Sequence, residues 1–344
     1  MDPAPFKEAF NGTTPLYRQL MDFIIRGIHD GVYSPDALLP SLNEMTAMTG
    51  ISKETVIKAY KELCKQGILT SQRGKGYYVN RHFLGGKPSV LVIMDKFSAH
   101  GQVILEAFME MVSSQVEVTV LMHYQDLDRF EGFLNTELDK YDYYLVFPHF
   151  PVLPGVRQAA LELIRRIPPY KLILMDRYLP GVSPLAGASY QSLEEDVATS
   201  LTPFIDDLRK YRIIRFSCMS VSLYGELIGQ TLKQFCQKQG LPIEILSDMP
   251  ERVEKGDLYF LSGSRLDNKL VTLADRIADA RLTLGKDVGI ICYNDWPLNK
   301  LILGGLTTLS TDFVQMGRKA AKMVLSRTLS KVHCHCRLIR RNTF

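Results

Sequence analysis

Two helix-start signals separated by a glycine turn set the tightest limit on how this chain folds. Ser41-Leu42-Asn43-Glu44 places a hydroxyl and a carboxylate at capping-box spacing, where each satisfies a backbone amide that a helix start leaves unpaired. The short helix beginning there ends at Thr49-Gly50, and Ser52 can cap the next one, with Val56, Tyr60 and Leu63 on its inner face. An earlier amphipathic helix follows Pro15, with Leu16, Leu20, Ile24 and Ile28 on one face before Gly31. Beyond Gly67, the strand-like segments Ile68 to Gln72 and Tyr77 to Val79 flank Arg73-Gly74-Lys75-Gly76, which predicts a hairpin with a basic tip. A helix, a helix-turn-helix and a hairpin in this order predict a winged helix-turn-helix over residues 1–80.

Net charge does not identify the partner of such a head. The whole chain carries +4, and residues 1–80 hold nine Lys/Arg against eight Asp/Glu. The case for nucleic acid therefore rests on placement. Ser52, Lys53 and Thr55 stand at the start of the third helix, where side chains of the right reach can enter a major groove and amides favour a phosphate. Lys58, Lys61 and Lys65 continue along it, and Arg73 or Lys75 at the hairpin tip can reach an adjacent minor groove. Any one of these lysines taken alone reads equally as an ordinary solvated residue. The ordered series of caps, turn and basic hairpin is what favours duplex DNA.

These residues also carry a family resemblance. Pro15-Leu16-Tyr17, Leu39-Pro40-Ser41, Ser52-Lys53-Glu54-Thr55-Val56 and Arg73-Gly74-Lys75-Gly76 resemble the GntR family of bacterial repressors over residues 13–80. The resemblance implies DNA contacts at Asn43, Ser52, Lys53, Thr55, Arg73 and Gly74. Asn43 and Ile57 stand where many members carry arginine, and Ile57 cannot bond a base edge, so the family's operator preferences do not transfer.

Residues 81–88, with Gly85-Gly86 and Pro88, break every periodicity and read as a linker. From residue 89 to 344 short apolar runs alternate with helical stretches, the pattern of parallel α/β architecture. Strands are expected at 90–94, 116–121, 143–147, 171–175, 213–218, 243–246, 258–262 and 288–293. The polar stretch Gly187 to Ser200 divides them four and four, which predicts two lobes. The expected fold class is thus α/β: a winged helix-turn-helix followed by a two-lobed α/β domain.

Open parallel sheets bind ligands beyond the carboxyl ends of their strands. The residues there are Lys96, His100, His149, Asp176, Arg177, Asn294, Asp295 and Trp296, joined by Tyr224 and Arg265 from the second lobe. Hydrogen-bonding groups combined with aromatic surface suit a sugar, whose hydroxyls donate and accept while its C–H faces stack on rings. Structural roles are equally open: Asp176 as a cap or the partner of Arg177, Trp296 as core, His149 as a buried histidine between Phe147 and Phe150.

The segment Val288 to Leu298, followed by Leu306-Thr307-Thr308-Leu309 and Gly317, resembles the effector domain of the LacI family, as does Leu174-Met175-Asp176-Arg177. This implies a periplasmic-binding-protein-like fold with Asp176 and Asn294 on sugar hydroxyls. Tyr224 falls where many members have an effector-binding arginine, and Cys336 to Ile339 matches a closing strand. The combination is similar to arabinose-type repressors, which join a GntR-like head to a LacI-like body. It implies a homodimer on palindromic operator DNA, with half-sites about one helical turn apart. The implied effector is a monosaccharide or sugar phosphate, with a lean toward a neutral pentose or deoxyhexose.

His333-Cys334-His335-Cys336 invites a metal reading. In an extended strand, however, alternate side chains face opposite ways, each face offers one pair, and further ligands would have to come from elsewhere. A terminal strand of half-buried residues without metal is the expectation.

Six cysteines, at 64, 218, 236, 292, 334 and 336, form no disulfide framework. No stretch approaches the roughly 18 apolar residues of a membrane span, and the first ten residues lack signal-peptide character. A cytoplasmic protein with no membrane partner is expected. No glycine-rich phosphate loop, nucleophile elbow or metal-spaced His-Glu pair is present, so neither an enzyme nor a cofactor is expected. The alternative, a DNA-binding head on an aminotransferase-like body, meets a body that is short for that fold.

Overall fold

The computed structural model describes residues 15–72, 74–80, 87–138, 140–151, 153–184, 186–218, 225–262 and 266–344. In the head, α1 (Leu16–His29), α2 (Leu42–Thr49) and α3 (Lys53–Lys65) precede the antiparallel hairpin of β1 (Leu69–Gln72) and β2 (Gly76–Val79). The expected caps are all made: Ser41 and Glu44 form the reciprocal box, Gly50 turns the chain with φ 70°, and the Ser52 hydroxyl accepts from the Thr55 amide. Leu20, Ile24, Met45, Val56, Tyr60 and Leu63 are buried in one core, each apolar side chain contributing about 1.5–3 kcal/mol. The Tyr60 hydroxyl escapes the cost of burial by donating to the Pro40 carbonyl at 2.7 Å. Tyr170, from the body, packs against this core.

The body follows as β3 (Ser89–Met94), α4 (Ala99–Val112), β4 (Glu117–Met122), α5 (Leu127–Glu137), β5 (Tyr143–Val146), α6 (Val156–Ile164), β6 (Leu172–Arg177) and β7 (Gly187–Gln191). Then come α7 (Leu193–Leu201), β8 (Ile213–Cys218), α8 (Gly225–Gln239), β9 (Ile243–Leu246), β10 (Asp257–Ser262), α9 (Leu266–Asp279), β11 (Gly289–Tyr293) and β12 (Thr307–Thr311). Helix α10 (Phe313–Ser326), β13 (Lys331–His333) and β14 (Cys336–Ile339) close the chain.

Two six-stranded sheets result, ordered β13-β7-β6-β5-β3-β4 and β14-β12-β11-β10-β8-β9. The first is parallel throughout, and the second is parallel except for β14, which runs against β12. Helix α7 packs into the second lobe, whereas α10 returns to the first and lies on α4. The chain therefore passes between lobes after β7, after β12 and between β13 and β14. In each sheet the strand order reverses beside the lobe's first strand, which opens a crevice between β3 and β5 and another between β8 and β10. Tyr170 precedes β6, so the head docks at the opposite end of the first sheet from its crevice.

All eight expected strands are present, with ends shifted by a residue or so. The eight divide four and four between the lobes as expected, and β7 and β13 in the first and β12 and β14 in the second bring each sheet to six strands. The stretch taken as a polar divider is indeed where the chain passes between lobes, but it is strand β7 of the first and helix α7 of the second, with small and polar residues buried there among partners. Gly187 faces Met323, Ile173 and Leu329 so closely that a Cβ would lie 3.2–3.3 Å from them. Ser189 donates to the Met316 carbonyl at 2.9 Å, and buried Asp196 accepts from the Ser192 amide at 2.8 Å. The terminal segment is likewise two strands in different sheets, with Cys334 in the first lobe's core and Cys336 in the second's. No helix among the described residues is long and apolar enough to cross a membrane.

Candidate functional site

Three strand ends and one helix start build a buried polar cluster in the first lobe's crevice. Asp95 directly follows β3, His149 follows β5, Asp176 lies in the last turn of β6, and His100 is in the first turn of α4. The His149 ring sits between two carboxylates, with Nδ1 3.1 Å from Asp95 and Nε2 2.9 Å from Asp176. His100 Nε2 approaches the same Asp176 oxygen at 3.6 Å and the Ser98 hydroxyl at 3.3 Å. Gln125 donates to the second oxygen of Asp95 at 3.5 Å.

Burial alone would make His149 less basic, but hydrogen bonds to Asp176 and Asp95 outweigh it and raise the ring to about 9. At neutral pH it is an imidazolium. Burial likewise disfavours the charged Asp176 and Asp95, yet the histidines hold Asp176 well below the usual carboxylate range, and His149 holds Asp95 low. His123 behaves oppositely: burial pushes it down to about 4, and its ring accepts from the Gln125 amide while facing the Phe147 carbonyl. It is a neutral histidine stacked on Phe150 with centroids 4.5 Å apart.

The cluster continues into the second lobe through Gln191, the last residue of β7. Its amide donates to Asp176 at 2.7 Å, and its carbonyl oxygen accepts from Thr311 at 2.9 Å and from Tyr293 at 3.4 Å. Tyr293 ends β11 and Thr311 ends β12, so one chain of hydrogen bonds spans both lobes. Beyond Tyr293, Asn294 takes φ 71°, matching Asp176 at φ 65° on the fourth strand of the other lobe. Asx side chains tolerate this left-handed region better than most. The carboxamide oxygen of Asn294 is buried and has no hydrogen-bond partner among the described residues. Buried acceptors are normally paired, so this oxygen is available to a donor such as a ligand hydroxyl.

The structure thus gathers His100, His149 and Asp176 into one cluster and sets Asn294 at the corresponding strand end across the cleft. Asp295 follows a different course: its carboxylate is gripped at 2.8 Å by both terminal nitrogens of Arg341 and accepts from Thr308 at 2.9 Å. Lys96 is exposed, whereas Arg177 and Trp296 are half-buried. Tyr224 and Arg265 lie outside the described residues. Sequence reasoning overlooked Asp95, Gln191, Tyr293 and Thr311. Asp95 was available to the same strand-end rule that selected Lys96, whereas Gln191 was hidden because its stretch was not read as a strand.

The head's candidate interface is equally local. Asn43, Ser52, Lys53, Lys58 and Lys75 are exposed, and Thr55 is half-buried, its hydroxyl 3.0 Å from that of Ser52. Lys58 Nζ lies 4.1 Å from the centroid of the Tyr17 ring, which holds the charge near α1. Gly74 turns the hairpin tip with φ 75°, and Arg73 lies outside the described residues.

Head and body together define a class: a small winged helix-turn-helix joined to a two-lobed sheet domain with a buried polar cluster at the strand ends where the lobes meet. Residues 16–79 match the gntR family of bacterial regulatory proteins, and residues 209–343 match the periplasmic binding protein-like domain. The chain thus joins a head similar to the gntR family to a body whose second part is similar to the periplasmic binding protein-like domain. Its head is 47% identical over 70 residues to the uncharacterized HTH-type transcriptional regulator YurK of Bacillus subtilis, a match covering 20% of this chain and 29% of that protein. The body superposes on the trehalose repressor from Escherichia coli with a TM-score of 0.54 at 12% identity, covering 74% of this chain and 100% of that one. A LacI family transcriptional regulator from Arthrobacter in complex with lactose gives a TM-score of 0.53 at 17% identity, covering 74% and 99%. At these identities the two structures establish the fold alone.

Proposed function

We propose that this protein is a ligand-responsive transcriptional repressor that binds palindromic operator DNA as a homodimer and takes a small carbohydrate in its interlobe cleft. In this reading residues 1–80 form the DNA-binding head, 81–88 the linker and 89–344 the effector and dimerisation domain. The observation that carries it is the buried Asp95–His149–Asp176 cluster, linked through Gln191 to the second lobe and set across the cleft from the unpartnered Asn294 oxygen. Fixed acceptors of this kind recognise hydroxyls. Two carboxylates against one imidazolium leave the buried groups net negative, which favours a neutral monosaccharide over a sugar phosphate. A regulator solved with lactose and a trehalose repressor among the fold's neighbours support a carbohydrate ligand.

The DNA contacts in this reading are Asn43, Ser52, Lys53, Thr55, Lys58, Arg73, Gly74 and Lys75. Ligand closing the cleft shifts one lobe against the other and so changes the spacing of the two heads. Such control requires that the ligand bind one lobe arrangement better than the other. No catalytic step and no cofactor are assigned. A thermal-shift screen of the full chain against monosaccharides and sugar phosphates tests the reading, because a ligand of the folded state raises its melting temperature. A neutral sugar that stabilises wild type and not Asp176→Asn supports it, and stabilisation by phosphate compounds alone refutes the ligand class.

A further inference from the structure

The third crossing between the lobes holds a set of donor atoms that the sugar cleft does not use. His333 ends β13 in the first lobe, His335 lies in the crossing itself, and Asp196 is in the first turn of α7 in the second lobe. One donor atom from each of the three lies within 4.8 Å of the others. His333 Nε2 is 3.0 Å from Asp196 Oδ1, and His335 Nδ1 is 3.8 Å from the same oxygen. Donors bound to one tetrahedral zinc ion at its usual bond lengths stand about 3.3 Å apart, a value these two distances straddle.

We propose that Asp196, His333 and His335 bind a divalent transition-metal ion of the zinc or nickel class, which clips the two lobes together where the chain crosses between them. Two imidazoles and one carboxylate suit such borderline ions and leave a fourth position for water. Ligand alternation has been satisfied in the way the strand geometry demands: both histidines face Asp196, while Cys334 and Cys336 turn into the two cores.

The surroundings of these groups are compatible with a bound ion. His333 Nε2 lies 3.0 Å from the buried Asp196, a pairing that a bound ion would replace. Its other nitrogen lies 3.9 Å from Glu195 Oε2, longer than a hydrogen bond. Asp196 is 1% exposed and is fixed by the amides of Ser192 at 2.8 Å and Cys336 at 3.3 Å, while Tyr190 stacks on His333 with planes 7° apart. A buried carboxylate, an imidazole stacked on Tyr190 and an exposed third ligand make a site that one ion can close.

The test uses the full chain freed of metal by a chelator and then titrated with zinc alone in competition with a chromophoric chelator, followed by cobalt as a spectroscopic probe. One saturable site per chain is expected, weakened roughly ten-fold or more in His335→Ala and in His333→Gln. Cobalt should give ligand-field bands in the visible without a thiolate charge-transfer band. His335 is 72% exposed, so removing its ring should leave the metal-free melting temperature unchanged and isolates ligation from folding. Zinc affinity equal in wild type and His335→Ala would overturn the proposal, as would a thiolate band or no saturable binding at all.

Discussion

The imidazole of His149 lies 2.9 Å from the Asp176 carboxylate, and both side chains are almost wholly excluded from solvent. Asp95 faces the other ring nitrogen, so a single cation separates two buried anions. Replacing His149 with Gln would leave those charges uncompensated, at a cost of about 3–5 kcal/mol. Chemical denaturation of the body at pH 6.5 measures this directly.

The same cluster fixes a pH profile. His149 is raised from 6.5 to about 9, so its contribution is fully present below about 6.5 and is lost as pH rises through about 9. The lowered carboxyls of Asp95 and Asp176 contribute above their ordinary value of 3.8 and lose that contribution as pH falls. His123, held down at about 4, is protonated more readily in the unfolded chain and removes further stability between 6.5 and 4. Body stability should therefore peak near pH 6.5, and the alkaline decline should flatten in His149→Gln. A decline of equal slope in both proteins would reassign it.

Within the head, Asp22 is raised from 3.8 to about 7, because its burial outweighs the nearby Arg26 and Arg18. A raised acid is the reverse of a paired carboxylate: its contribution is present below 3.8 and is lost as pH rises through about 7. The protection of α1 amides, corrected for the intrinsic exchange rate, should fall across that range in wild type. Asp22→Asn should remove the dependence and protect α1 better at pH 8.

Gly317 on α10 lies against α4, where a Cβ would collide with the Ile104 carbonyl and sit 3.0 Å from Ala107 Cβ. A backbone carbonyl cannot step aside as a flexible side chain can. Gly317→Ala should force the two helices apart and cost about 1–3 kcal/mol, read as a lower melting temperature of the body.

Gly317 also illustrates what was legible beforehand. It stood out with the Leu306 to Leu309 segment through family resemblance, and the structure supplies the reason, a close helix approach. The head was readable almost residue by residue because its signals are local: the Ser41 box, the Gly50 turn and the Ser52 cap each act within four residues. The cleft was readable only in part. His149 and Asp176 end strands and were selected by position, but no local rule brings together two residues from different strands. Gln191 and Asp196 were missed for one physical cause: buried polar side chains resemble solvated ones in sequence, and only their partners, supplied by distant strands, distinguish them.

Lys53, Lys58 and Lys75 are exposed on the head, and each is expected to neutralise a phosphate. Single replacement by Ala should weaken binding to every DNA sequence alike and reduce the slope of log affinity against log salt by about 1. Unchanged slopes would remove these lysines from the interface.

The measurement closest to the central claim is the affinity of the full chain for DNA selected from its own genome, with and without the sugar that stabilises the body. The account expects the ligand to shift DNA affinity by roughly 5-fold or more. Asp176→Asn should bind the same DNA normally and lose the shift. DNA affinity that stays constant while the cleft is saturated, or a chain that selects no sequence, would contradict it.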